Sequence, residues 1–442
     1  MRWPVRPGAT LRRVAINGLW AYLLQATNLL VSLVTLPYLT RVLGKAGFGT
    51  FASALNLVTY LTIVTVWGFD MWGSREVARA SDPGEIRSLF RRIVLARTLL
   101  LAASLVPFAI MAATSQGRAR TALLAMGLTL VGLTYGQTWL FLGTQQLRLA
   151  ALSALISKGL FLAAVLLLVK TPADAIRYCV LYGASLVLSA GIQEWLARRT
   201  FQVSLGLASL GDVWGVIRAA APLFLANIMS TIANGIGVTA LTARASAAQV
   251  GEYAGVLRIA STLLLLFAPI WTALYPQACR RYDVSRAVGN GFALRVSALL
   301  IPTFAVLSLG VVVLRDPLVR TVLGRDYADA GGVVVPLMVW VFVGIVCNVI
   351  GTQVLVASGR QRQYTVGLVV ATAATAVFTI VGVGAGPIGV GWATAAGQVV
   401  LLACLVGAIW TTRRMPNDSG GAYLVHDPDA VATTSSPATL DR

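Results

Sequence analysis

Histidine is nearly absent from this chain, and acidic side chains are absent from the middle of every long apolar run. The only histidine, His426, falls in a polar tail, so histidine acid–base chemistry and His-ligated metals are excluded from the apolar part. No metal site and no cofactor is expected. The missing mid-depth carboxylate argues against transport driven by a carboxyl group that binds and releases a proton. Charged residues make up 12% of the chain, against about 25% in soluble domains. The four cysteines, Cys179, Cys279, Cys347 and Cys404, have no CxxC spacing and suggest neither zinc nor a disulfide framework. Connections between apolar runs are short, which leaves no room for a soluble domain.

What the chain has in abundance is hydrophobicity: 57% of its 442 residues, with a mean hydropathy of +0.79. Runs of spanning length, about 20 residues each, fall at 15–38, 48–69, 92–113, 121–142, 148–169, 175–197, 216–241, 251–275, 291–314, 333–356, 364–384 and 388–411. An all-α integral membrane protein of twelve transmembrane helices is expected. The first run is too long for a signal-peptide core and lacks a small-residue cleavage site, so it is read as the first helix. Thirty-five Lys and Arg against sixteen Asp and Glu give +19. These charges flank the runs instead of forming one patch, which favours a bilayer partner over nucleic acid. Lys and Arg concentrate in the loops on the side of the N-terminus, and the positive-inside rule then puts both termini in the cytoplasm.

A weak repeat relates the two halves at an offset of about 200 residues. "GTFASALNLVTYL" at 49 aligns with "GEYAGVLRIASTL" at 251, and "LARTLLLAASLVPF" aligns with "ALRVSALLIPTF", which pairs Arg97 with Arg295. Six helices per half give both halves the same orientation, so two pseudo-symmetric six-helix lobes are expected, 1–206 and 207–414, with a cleft between them. The segment 415–442 is rich in Ser, Thr, Pro, Asp and Gly and reads as a disordered cytoplasmic tail.

"LPYLTRVLGKAGFGTFASALN" followed by "GFDMWGSREVAR" resembles the opening of bacterial Wzx-type polysaccharide exporters, flippases of lipid-linked oligosaccharides in the multidrug/oligosaccharidyl-lipid/polysaccharide exporter superfamily. Arg41, Leu43, Gly44, Gly47, Phe48 and Gly49 carry the likeness, with Gly68, Arg75 and Glu76. Lys45 and Ala46 depart from it, where a proline and an acidic residue are common. "VGEYAGVLRIA" and "VLGRDYADAG" extend it, so that it covers residues 14 to 412. The resemblance implies a two-lobe fold like that of the multidrug exporters, a location in the bacterial inner membrane, and a polyprenyl-diphosphate-linked glycan as cargo. It also implies contact with polysaccharide polymerisation machinery.

Eight residues are candidates for a cavity between the lobes. Lys158 lies about 15 Å from Arg148 and about 18 Å from Lys170 along its helix, too deep to reach either headgroup layer. It needs a polar partner, water or an anionic ligand. Arg258 sits about two turns from the outer end of its helix, and its repeat partner Asn56 is polar at the same depth. Arg97 and Arg295 lie near the cytoplasmic ends of their helices, where snorkelling to headgroups competes with a cavity role. Arg41 is an outer-face anchor or a gate residue. Asn227 and Asn234 are amides that either join helices or contact a ligand. Pro222, Gly235 and Gly237 in the same run can bend it or let neighbours pack closely. Trp139, Trp195, Trp271 and Trp340 read as interfacial belt residues, and Glu194 with Arg198 as an i,i+4 ion pair.

Three functions fit these features unequally. A membrane-embedded glycan polymerase or ligase would draw its acids from Asp316, Asp326 and Asp329, which lie among Arg315, Arg320 and Arg325 in a mixed-charge loop. A multidrug exporter of cations calls for an acidic or aromatic-lined pocket, whereas Lys158, Arg258 and Arg97 are all positive. A flippase for an anionic, diphosphate-linked glycan fits both the charge and the resemblance. On that reading the protein is not an enzyme.

Overall fold

The computed structural model describes residues 11–413 apart from 205 and 207. The tail expected at 415–442 lies outside the described residues. The first half comprises α1 (Leu11–Val66), α2 (Phe69–Arg79), α3 (Pro83–Thr114), α4 (Gly117–Thr134), α5 (Thr138–Gly143), α6 (Leu147–Leu168) and α7 (Ala175–Phe201). The second comprises α8 (Leu210–Arg244), α9 (Ala247–Leu266), α10 (Ala268–Val284), α11 (Arg286–Val313), α12 (Arg315–Val322), α13 (Gly331–Asn348), α14 (Gln361–Gly382) and α15 (Gly386–Arg413). A 3-10 turn (Arg325–Ala330) precedes α13, and a π-helix (Val349–Val356) continues it. Among the described residues there is no strand.

Local chemistry sets these boundaries. Asp82 accepts from the Gly84 amide ahead of Pro83, and Ser209, Ser246 and Ser285 each accept from an amide three residues on, at the starts of α3, α8, α9 and α11. Each side chain thus satisfies one of the N–H groups that a helix start leaves without an internal partner. The runs 15–38 and 48–69 both fall in α1, which breaks at Gly44 (φ 64, ψ −179), a conformation that a Cβ would strain. The run 121–142 divides into α4 and α5, and 251–275 into α9 and α10 at Phe267.

Eight helical stretches among the described residues are long and apolar enough to cross a membrane, nine if bent α8 counts as one. Two of the eight are double length, Ile16–Arg79 and Gln361–Thr411, divided at Gly44 and Gly386. The count is compatible with the twelve crossings expected. α8 bends by 47° between Leu210–Leu225 and Asn227–Arg244, just after Pro222. A proline inside a helix removes one backbone hydrogen bond and crowds the preceding turn.

Packing follows the two halves. α4 pairs with α7, α6 with α7, and α1 with α4 and α6; in the second half α14 pairs with α15, α13 with α15, and α10 with α11. Contacts across the halves are made chiefly by α1 against α9 and α8. That seam frames the cavity.

Candidate functional site

A cavity of about 300 Å³ opens where α1, α6 and α7 of the first half face α8 and α9 of the second. Lys158 enters it from α6 and Arg258 from α9, with Asn56 and Asn234 also on its wall. Four of the eight candidates therefore meet in one place. Arg258 donates from Nη2 to Ser32 Oγ on α1 at 3.2 Å. Neither cation has an ion-pair partner among the described residues. Two positive charges close enough to interact across a low-dielectric space repel each other, and an anion placed between them removes that cost.

An aromatic wall missed by sequence reasoning completes the cavity. Phe51 meets the Tyr178 ring edge-on at 4.7 Å and the Tyr182 ring at 5.6 Å, and Phe161 lies 5.8 Å from Tyr178. These rings belong to α1, α6 and α7, which they lock together. Ser32, Thr35, Thr59 and Ser185 supply neutral hydroxyls at the surface of the cavity.

Asn56 faces the cavity but its amide is engaged: Nδ2 donates to Gly235 O at 3.2 Å and to Thr239 Oγ1 at 2.8 Å. It belongs to a polar seam between α1 and α8 that continues through Ser53–Thr242 at 2.9 Å and Tyr60–Thr239 at 2.9 Å. Gly235 permits that approach, since a Cβ there would lie 2.6 Å from Asn56 Oδ1; Gly237 likewise admits the Tyr253 hydroxyl. Both glycines serve close packing, and the bend falls near Pro222. Farther along the seam, Trp67 donates to Ile217 O at 2.9 Å and stacks on Phe224 at 3.9 Å.

At the end of the bundle that carries the Arg325–Ala330 turn, α1 and α9 touch backbone to backbone. A Cβ on Gly49 would sit 1.8 Å from Ala247 O, and one on Gly251 would sit 1.9 Å from Lys45 O. Lys45 reaches Glu252 at 3.7 Å and Asp329 at 3.8 Å, both in the second half. Arg41 donates to Thr321 O, beside a separate cleft that it shares with Arg320 and Asp326. Arg41 is thus part of the junction that closes this end, and does not line the cationic cavity.

The other candidates fall elsewhere. Arg97 is 1% exposed and bonded to the Thr134 and Gly136 carbonyls at 3.1 and 2.9 Å and to Asp70 at 2.5 Å. The two carbonyls are those freed where α4 stops before α5, so Arg97 caps a helix break instead of entering the cavity. Arg295 is exposed on α11 and lines neither the cationic cavity nor the cavity inside the second half. Asn227 lines a small space of about 180 Å³ against Val66 and Gly68. The tryptophan reading also changes. Trp139 is buried, with its N–H on Gln137 Oε1 at 2.9 Å, and Trp271 and Trp340 line a cavity inside the second half. Trp195 remains exposed under Arg199, and Glu194 pairs with Arg198 at 2.8 Å as expected.

The same architecture occurs in proteins of known structure. A lipid II flippase, MurJ, in an inward closed conformation superposes with a TM-score of 0.71 at 13% identity, over 90% of this chain and 87% of that one. An inward-facing multidrug resistance MATE family transporter of the MOP superfamily gives 0.61 at 14% identity, over 93% and 96%. In sequence, a protein of Escherichia coli (strain K12) named "Putative O-antigen transporter" is 24% identical over 374 residues, 82% of this chain and 87% of that one. The model of the family described as "Polysaccharide biosynthesis protein" matches residues 14–280, and this chain, a multi-pass membrane protein of the MATE/MOP-like fold, belongs to that family.

Proposed function

We propose that the protein is a flippase that carries a polyprenyl-diphosphate-linked oligosaccharide from the cytoplasmic to the outer leaflet of the bacterial inner membrane. The observation that carries this reading is the pair Lys158 and Arg258, set in opposite halves, facing one cavity without a carboxylate. A diphosphate presents oxygens that both cations can grip, the guanidinium in a bidentate way. Seating the headgroup between the halves while the prenyl chain stays among the lipids leaves only the polar part to be moved.

The closed junction at Gly49 and Gly251 supports a cavity open on the opposite side, which the distribution of Lys and Arg assigns to the cytoplasm. Loading there, then parting of α1 from α9 with closure of the inner seam, would re-expose the cargo outside. Similarity to a lipid II flippase and to an O-antigen transporter favours the same cargo class. A cation exporter is disfavoured because the cavity wall holds two cations and no acid. A transferase is disfavoured because two of its candidate acids serve the junction, Asp329 on Lys45 and Asp326 beside Arg41, and the third, Asp316, pairs with Arg315 at 3.7 Å.

The test compares membrane abundance with surface polysaccharide for Lys158→Ala, Arg258→Ala, Lys158→Arg and Arg258→Lys. Both alanine variants should insert normally and fail to export, Lys158→Arg should keep part of the activity, and Arg258→Lys should lose more. Full export by both alanine variants sinks the reading. Orientation is checked with membrane-impermeant thiol labelling of Arg325→Cys and Ser419→Cys in intact cells, where only the first should react.

A further inference from the structure

The cationic cavity accounts for a diphosphate but offers little to a glycan. A second cavity, of about 310 Å³, lies within the second half among α8, α9, α10, α13, α14 and α15. It meets the first at Asn234, which lines both. No charged residue lines it. Its wall instead combines the indoles of Trp271 and Trp340, the phenol of Tyr364, and the amides of Asn234, Asn348 and Gln398.

The hydrogen-bonding state of that wall is specific. Asn234 Nδ2 gives one of its two hydrogens to Ser230 O at 2.8 Å, which leaves the other hydrogen and Oδ1 available, and the single Thr352 hydroxyl hydrogen is shared between Asn348 O and Oδ1 at 2.5 and 2.9 Å, which leaves Asn348 Nδ2 as a donor. The indole N–H groups of Trp271 and Trp340 have no acceptor among the described residues. The cavity therefore offers donors and acceptors side by side with flat apolar faces. A sugar ring is matched to such a wall: its hydroxyls both donate and accept, and its C–H face lies against an aromatic ring. A drug-like cation would find no carboxylate, and a lipid tail would leave the amides and indole N–H groups unpaired.

We propose that this second cavity is a sugar subsite, which takes an uncharged sugar of the cargo while Lys158 and Arg258 hold its diphosphate. The proposal rests on the flippase reading and extends it from headgroup to glycan. Its volume sits at the small end of ligand pockets, about 300–1,000 Å³, so it takes a sugar unit next to the diphosphate, and the rest of the glycan lies in the open cleft. Bent α8, which carries Asn234, forms the wall between the two cavities and couples the glycan to the lobe seam.

The test uses the full chain in lipid nanodiscs and two probes, polyprenyl diphosphate without sugar and polyprenyl diphosphate bearing a neutral tetrasaccharide. Wild type should bind the glycosylated probe about tenfold more tightly than the bare one. Trp340→Ala and Gln398→Leu should each bring the glycosylated probe down to the affinity of the bare one, whereas Trp340→Phe, which keeps an aromatic face, should retain most of the preference. Lys158→Ala should weaken both probes alike. Equal binding of the two probes by wild type, or an equal fall for both in Trp340→Ala and Gln398→Leu, overturns the subsite. So does a preference that vanishes when sodium is replaced by choline, which marks the cavity as a cation site. A bare probe that fails to bind, with the sugar preference and its loss in both variants intact, overturns the diphosphate reading and leaves the sugar subsite standing.

Discussion

Arg97 and Lys158 are cations set within apolar helices of the same half, and the protein surrounds them in opposite ways. Arg97 is 1% exposed, yet its guanidinium meets two carbonyls and a carboxylate. Lys158 is only partly buried, and among the described residues it has no ion-pair partner at all. Charge is shared by the two, so it does not separate scaffold from site. Partners do. Where a buried charge is matched by groups of the chain itself, it holds the fold; where the match is missing, it waits for one from outside.

The largest effect expected from breaking that contrast is on Arg97. Arg97→Ala leaves two carbonyls at a helix break without donors and should cost about 3 kcal/mol, the half-exposed Asp70 being partly relieved by water. Membrane abundance and thermal stability should fall together with export, unlike Lys158→Ala, which should lose export alone. Next come Gly49→Ala and Gly251→Ala, whose added Cβ lands inside van der Waals contact of a facing backbone. Overpacking of about 1–3 kcal/mol should part the junction, lower export about tenfold at normal abundance, and raise thiol labelling of Lys45→Cys in the same background. Lys45→Ala is smaller: its pair with Asp329, which is 91% exposed, contributes under about 1 kcal/mol, but Glu252 is 17% exposed and loses its partner, so the cost should be about 1–2 kcal/mol and export should fall about threefold. Removing residues 416–442 should change neither insertion nor export, and a truncated chain that inserts without restoring polysaccharide would reveal a partner for the tail.

The sequence already showed the helical membrane fold, because spans of about 20 apolar residues have few other uses. Lys158 and Arg258 were legible for a related reason: a charge at depth with no carboxylate in neighbouring spans leaves few options. Arg97 misled because its partner, Asp70, sits one residue past the run 48–69, and because the stop between α4 and α5 leaves hydropathy unchanged. The pairing by the repeat tipped Arg97 further toward the cavity, although its partner Arg295 is exposed. Trp271 and Trp340 were misplaced because an indole near a helix end looks the same whether it faces headgroups or a cavity. Phe51, Tyr178 and Tyr182 gave no signal, since aromatic rings are ordinary in apolar helices. Lys45, a departure from the family pattern, ties the two halves by charge, as does Arg92 with Asp212 at 3.6 Å.

The contact between Gly49 and Gly251 has a further meaning. The repeat aligns these two positions, and each would place its Cβ close to the backbone nitrogen of the other, at 2.7 and 3.0 Å. A residue that meets its own counterpart is the signature of a two-fold axis, the arrangement that two identical chains adopt when they pair through one surface. The junction thus has the form of a homodimer interface written into a single chain. Its two sides are not free to drift separately: a chimaera that joins the first half of this protein to the second half of a relative should assemble only if glycine is kept on both sides of the axis.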